Sequence, residues 1–124
     1  MNIRFIITAF TICLLLFGCG EKIPDRHSYS EVGFASYYSK SLHNKKTASG
    51  EPYNMHALTA AHRTLPFGAY VIVTNLNNGK SVKLKINDRG PKVNDRIIDL
   101  SFEAAKKLEM LKDGVVKVKI VSTN

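Results

Sequence analysis

Apolar and polar residues alternate with a period of two along several short stretches. The clearest is residues 81–86, where Val82, Leu84 and Ile86 alternate with Lys83 and Lys85. That period is the mark of a strand with one buried face. Carried two residues further, it puts Asp88 on the buried side and Arg89 on the other, and Gly90 and Pro91 then end the strand. The preceding run, residues 69–76, is apolar on both faces at Val71, Ile72 and Val73, as expected inside a closed barrel or beneath a helix. Asn77-Asn78-Gly79 predicts a hairpin between the two strands. Further strands are predicted at residues 33–38 and 96–100, and where Val116, Val118 and Ile120 alternate with Lys117 and Lys119. Ser101 is placed to cap a helix with Glu103 in its first turn, Phe102, Ala105, Leu108 and Leu111 near one face, and Gly114 as its stop. Residues 39–54 read as loop and residues 59–68 as a segment ending in a turn at Pro66 and Gly68. Many short strands with one well-marked helix predict a mainly β fold, a small barrel whose closure removes exposed edges.

The pattern changes before residue 32. Arg4 precedes an apolar stretch at residues 5–17, the layout of a bacterial export signal. The stretch is too short to cross a bilayer, for which about 20 residues are needed. Leu16-Phe17-Gly18-Cys19 resembles the lipobox of bacterial lipoproteins, which implies removal of residues 1–18 and acylation of Cys19. Gly20 in place of Asp implies, by resemblance to enterobacterial sorting, the periplasmic face of the outer membrane. Residues 19–31 are polar, contain Pro24 and lack periodicity, so they are expected to tether the lipid to a folded domain at residues 32–121.

Composition narrows the class. A chain of 124 residues holds one small domain, and 44% hydrophobic against 23% charged residues marks it as globular. Its 18 Lys and Arg against 10 Asp and Glu give a net charge of +8, which favours anionic polymers and surfaces. No run of five basic residues and no nucleic-acid motif occurs, so nucleic acid is not an expected partner. Cys13 and Cys19 both precede the domain, leaving it without a disulfide or a thiolate nucleophile. His27, His43, His56 and His62 have no metal-ligand spacing, so neither metal nor cofactor is expected.

Three titratable residues stand in turn-rich segments beside strands: Glu51, His62 and Asp88. Cleaving a sugar chain needs one group to donate a proton and another to accept one, and a carboxyl with a second carboxylate or an imidazole suffices. Each has a plainer reading. Asp88 can accept backbone N–H groups in its own turn, His62 can stabilise a turn, and Glu51 can be solvated loop surface. Asp95 and Asp99 flank the strand at residues 96–98; pairing and capping suit Asp95, while Asp99 precedes the helix and can face the same cleft.

Taken together, several short motifs carry a resemblance. Ala35-Ser36-Tyr37-Tyr38, TASGEPY from Thr47, TAAHRTLPFG from Thr59, the hairpin from Val73 to Gly79, INDRGP from Ile86 and RIIDLS from Arg96 stand in the order seen in the rare lipoprotein A family. The resemblance covers residues 33–121. It implies a six-stranded double-psi β-barrel with one or two short helices, and the activity of a lytic transglycosylase. Such enzymes cut between N-acetylmuramic acid and N-acetylglucosamine in peptidoglycan without water, leaving a 1,6-anhydro end. By motif, Asp88 matches the family's essential acid, His62 its functional histidine and Glu51 the acid of the TASGE segment. Arg89, Tyr37, Tyr38, Tyr53, Asn87 and Asp99 are the expected substrate-binding residues, with glycan strands as partner and the domain acting as a monomer. Longer family members carry a C-terminal SPOR domain, whereas this chain ends at Asn124, so septal targeting is not implied. The alternative on the same barrel is an expansin-like lipoprotein that binds or loosens the wall without turnover.

Overall fold

The structure, a computed structural model, describes residues 29–123; the expected export signal, the expected acylation site Cys19 and the expected tether up to residue 28 lie outside the described residues. Six strands follow one another: β1 (Ser30–Tyr37), β2 (Thr59–Ala61), β3 (Tyr70–Asn75), β4 (Ser81–Asp88), β5 (Arg96–Leu100) and β6 (Val116–Thr123). Among the described residues one α-helix, α1 (Phe102–Lys107), precedes β6, and one 3-10 turn occupies Lys40–Leu42. The strands close into a barrel in the order β1-β5-β2-β4-β3-β6. β1 runs parallel to β5 and β2 parallel to β4, and every other pairing is antiparallel. This is the mainly β, double-psi barrel that the motifs implied.

The alternating apolar residues fill its interior: Val71, Val73, Leu84, Ile86, Ile98, Val118 and Ile120 are all buried. Burying each such side chain favours folding by about 1.5–3 kcal/mol, so this single core is what holds the strands closed. α1 packs on β1 and β4 and adds Ala104 and Ala105 to the core, and the turn after it adds Leu108 and Met110. Its cap is Ser101, whose hydroxyl oxygen accepts from the Ala104 N–H at 3.2 Å and whose hydroxyl donates to the Ala57 carbonyl at 2.7 Å.

The elements depart from the sequence reading in five places. β1 begins at Ser30, three residues early, because residues 30–35 pair with β6 whatever their polarity. β2 lies where only a turn-bearing segment was expected; three residues are too few to display a period. Ile72 is 37% exposed, so β3 has one buried face and not two. α1 stops at Lys107, because the side-chain amides of Asn75 and Asn78 both donate to the Leu108 carbonyl at 3.0 Å and Glu109 turns to a φ of 53°. Finally, the alternation in β4 breaks at its end. Ala60 pairs with Ile86 but Ala61 pairs with Asp88, so Asn87 is an extra residue, buried beside Ile86, and Asp88 comes out half-buried at the barrel mouth. Such bulges re-aim side chains.

Candidate active site

The register brings two carboxylates into one row across four strands. Ser36 of β1 pairs with Asp99 of β5, Asp99 with Ala61 of β2, and Ala61 with Asp88 of β4. Only Ala61 stands between the aspartates, which places their backbones about 10 Å apart at ordinary strand spacing. Asp99 is held by the Ser36 hydroxyl, which donates to Oδ1 at 2.6 Å. Its Oδ2 faces Gly90, where an added Cβ would stand 3.6 Å away on a backbone with φ of 138°. Asp99 thus belongs with Asp88 and not with the helix cap. Ser36 stands 63 residues before Asp99, and no local signal marks it as the support.

Three donors converge on Asp88. Oδ1 accepts the N–H of Ala48 at 2.8 Å and that of Arg89 at 2.9 Å, and Oδ2 accepts the Tyr38 hydroxyl at 2.5 Å. The turn reading of Asp88 is therefore half right, since one donor is its own neighbour, but the other two come from distant loops. Burial, and then the hydrogen bond to Asp88, pushes the Tyr38 phenol well above its ordinary range, so it stays a donor.

The loop that brings Ala48 to Asp88 is built by its own residue types. Thr47 closes it, its N–H and hydroxyl both donating to the Glu51 carbonyl at 2.9 and 2.6 Å. Gly50 supplies the φ of 95° that the turn needs, and the Ser49 N–H donates to the Asn87 carbonyl at 3.3 Å. Glu51 then extends over β4. Its Oε2 accepts from Lys85 Nζ at 3.2 Å and its Oε1 from Asn87 Nδ2 at 3.4 Å. The Lys85 hydrogen bond, followed by that of Asn87, holds the exposed Glu51 carboxyl below its ordinary range. Asn87 is the bulged residue, and its buried amide makes it a support for Glu51.

These side chains open on two adjoining hollows. A cleft of about 650 Å³ is lined by Glu51, Asn87, Lys85, His43, His56 and Tyr53 among others, and a smaller one of about 210 Å³ by Asp88, Tyr38 and Tyr53 with Lys45 and Lys46. The larger cleft does not contain the Asp88 carboxylate; Tyr53 is the wall they share. Its ring tilts against Tyr38 at 4.7 Å between centroids, and its hydroxyl oxygen accepts the Phe102 N–H at 2.9 Å. Among the described residues no group of three or more His, Cys, Asp and Glu side chains is arranged to hold a metal.

Other candidates sit elsewhere. The Tyr37 hydroxyl donates to the Leu111 carbonyl at 2.7 Å and its ring meets Phe102 edge-on, so it packs beside α1 and lines neither hollow. Arg89 points away from the Asp88 carboxylate, as alternation required. Its guanidinium donates to the Leu65 and His62 carbonyls at 2.8 and 3.2 Å and covers the Phe67 ring at 4.1 Å. His62 is 3% exposed and both of its ring nitrogens are engaged. Nδ1 accepts the N–H groups of Thr64 and Leu65 at 3.1 Å, so the ring proton belongs on Nε2, 3.1 Å from Glu31 Oε1. The Tyr29 hydroxyl bonds the same Glu31 oxygen, and its ring stands edge-on to the imidazole. Tyr29 and Glu31 had been given to the tether, and no periodic signal could have found them. His62 reaches Asp88 only through its backbone N–H, which donates to the Asp88 carbonyl at 3.1 Å.

A family model described as lytic transglycolase matches residues 30–120, a span that includes Glu51, His62, Asp88 and Asp99. The chain belongs to the lytic transglycolase family. It is 53% identical over 96 residues to the endolytic peptidoglycan transglycosylase RlpA of Pseudomonas aeruginosa, covering 77% of this chain and 28% of that protein. To the RlpA of Campylobacter jejuni it is 52% identical over 88 residues, 71% of this chain and 32% of that one. The chain thus spans about three-tenths of the length of these curated relatives. Among solved structures, a Streptomyces papain inhibitor matches with a TM-score of 0.63 and 25% identity, over 83% of this chain and all of the inhibitor. An expansin of Clavibacter michiganensis solved with cellohexaose matches at 0.61 and 20% identity, over 77% of this chain and 51% of the expansin, a likeness of fold alone.

Proposed function

We propose that this chain is a peptidoglycan lytic transglycosylase, anchored by acyl chains on Cys19 at the periplasmic face of the outer membrane. The observation that carries the enzymatic reading is the convergence of Tyr38, Ala48 and Arg89 donors on the Asp88 carboxyl at the barrel mouth. Donors already aimed at an acid stabilise the negative charge that appears as it gives up its proton.

In the reaction, protonated Asp88 donates to the glucosamine oxygen as the C1–O4 bond breaks and an oxocarbenium-like muramic acid forms. The C6 hydroxyl of the same sugar closes on C1, an intramolecular attack favoured by proximity, and returns its proton to the Asp88 carboxylate. No water is consumed. Glu51, kept ionised by Lys85, is suited to face the positive charge from the neighbouring cleft and unsuited to donate a proton. His62 serves this mechanism as a positioning residue: with both ring nitrogens occupied, it fixes the loop whose carbonyls hold Arg89 and whose N–H holds the Asp88 backbone.

The test is digestion of purified sacculi by the parent protein and by Asp88→Asn, with the new chain ends read by mass spectrometry. Anhydro ends from the parent and none from the variant are expected. Reducing ends would make the enzyme a hydrolase, and sacculus binding without new ends would make it a glycan-binding protein. Full activity in Asp88→Asn would remove this residue from the mechanism.

A further inference from the structure

The outer faces of β1, β6, β3 and β4 form one continuous surface, because β6 pairs with both β1 and β3, and β3 with β4. Alternation sends one set of side chains into the core, so the other set must cover this surface. Val32, Phe34, Tyr70 and Ile72 are exposed there. The register sets them among cations: Val32 is opposite Lys119, Phe34 opposite Lys117 and Ile72 opposite Lys83. The outward positions of these four strands up to the bulge in β4 carry no acid, and Glu51 reaches over β4 only at its cleft end, onto Lys85. Lys117 and Lys119 make no ion pair among the described residues, and Lys83 leans over the Tyr70 ring at 5.4 Å. None of these seven residues lines the two hollows of the active site.

We propose that this face docks on an anionic lipid surface. The lysines complement anionic headgroups, and the apolar side chains between them complement the acyl boundary just beneath. A glycan strand would satisfy the lysines but offers no apolar layer for Val32 and Phe34. Position agrees with the surface. Residues 20–29 span at most about 35 Å, and they lead into β1, the strand that carries Val32 and Phe34. That proximity rests on the lipid-anchor reading, whereas the charge and the apolar patch do not. The face adjoins the larger hollow at Lys85, which is opposite Tyr70 and lines that hollow.

The chain contains no tryptophan, so a single one reports its own surroundings. The full chain carrying Phe34→Trp, and separately Leu42→Trp beside the smaller hollow, is bound to brominated phosphatidylcholine vesicles with or without phosphatidylglycerol. A blue shift and quenching are expected for Phe34→Trp with phosphatidylglycerol only, and not for Leu42→Trp. Changing Lys83, Lys117 and Lys119 to Gln should remove the effect, since three lysines near an anionic surface favour binding on the order of a hundredfold. Equal quenching of both probes, or the same quenching without phosphatidylglycerol, would overturn the proposal. So would a Phe34→Trp shift produced by sacculi and not by lipid. Cys19→Ser separates the two readings on vesicles without phosphatidylglycerol, where the face is not expected to bind: if retention there is unchanged by the substitution the anchor reading fails, while the tryptophan contrast with phosphatidylglycerol still decides the face.

Discussion

Tyr38→Phe should slow the reaction without weakening substrate binding. The change removes one hydroxyl and keeps the ring that packs on Tyr53 at 4.7 Å, so the wall between the two hollows is preserved. What is lost is the 2.5 Å hydrogen bond to Asp88 Oδ2. Hydrogen bonds to charged groups contribute about 1.5–3 kcal/mol net. If that contribution is made mainly as Asp88 becomes a carboxylate, it appears in the barrier, and about 10- to 150-fold in kcat follows. The assay is the initial rate of anhydro-end release from sacculi over a range of substrate concentrations, with circular dichroism melts to ensure that only folded protein is compared. A fall in kcat at constant KM supports the reasoning. Parental kcat, or a raised KM with kcat intact, would make Tyr38 a sugar-contacting residue and refute it.

Two further outcomes follow from the barrel itself. Gly33→Ala should destabilise the fold by about 1–3 kcal/mol, because the new Cβ would stand 2.7 Å from the branch methyl of Ile97 across the β1/β5 seam; an unchanged thermal melt would show that Ile97 yields freely. Stability should also fall in alkali. Burial pushes Tyr29 up to about 12, helped by Glu31, and raises Tyr38 and Tyr53 as well. These phenols hold their protons more tightly in the folded state, so their contribution is intact below the unfolded value near 10 and is lost as pH rises above it. Phenolate absorbance followed beside circular dichroism reads this directly, and full ionisation of every tyrosine near pH 10 with the fold intact would contradict it.

The parts of this barrel that could be read from the sequence are those whose signal is local. β4, β5, β6, the hairpin at Gly79 and the Ser101 cap each depend on residues a few positions apart. The candidate acids were legible for the same reason, since Asp88 and Glu51 sit among turn formers. Their supports were not. Asn87 is buried only because the β2 register slips between Ala60 and Ala61, a property of a partner strand 26 residues earlier in the chain. Glu31 looks like a solvated tether residue until β6 draws the chain into a strand and turns its carboxylate to His62. His62 is mixed: its Nδ1 partners are two and three residues away, in keeping with the turn-stabilising reading of the sequence, whereas the Glu31 contact at Nε2 is not local.

The same logic explains why the site lies where the parallel pairs meet. Both parallel ladders slip by a residue, β1/β5 between Phe34 and Ala35 and β2/β4 between Ala60 and Ala61. A strand in perfect register would keep alternating, and every second residue near its end would enter the core or leave it. The slips break that choice. After them Ser36, Asp99 and Asp88 are half-buried, removed from the apolar interior yet still braced by neighbouring strands. A carboxyl in that position can be surrounded by fixed donors on one side and open to a polymer on the other. Ala61 completes the arrangement. It sits between the two aspartates in the row, and its Cβ would lie 3.9 Å from a Cβ added at Gly90, so two small residues meet where the row turns into the mouth.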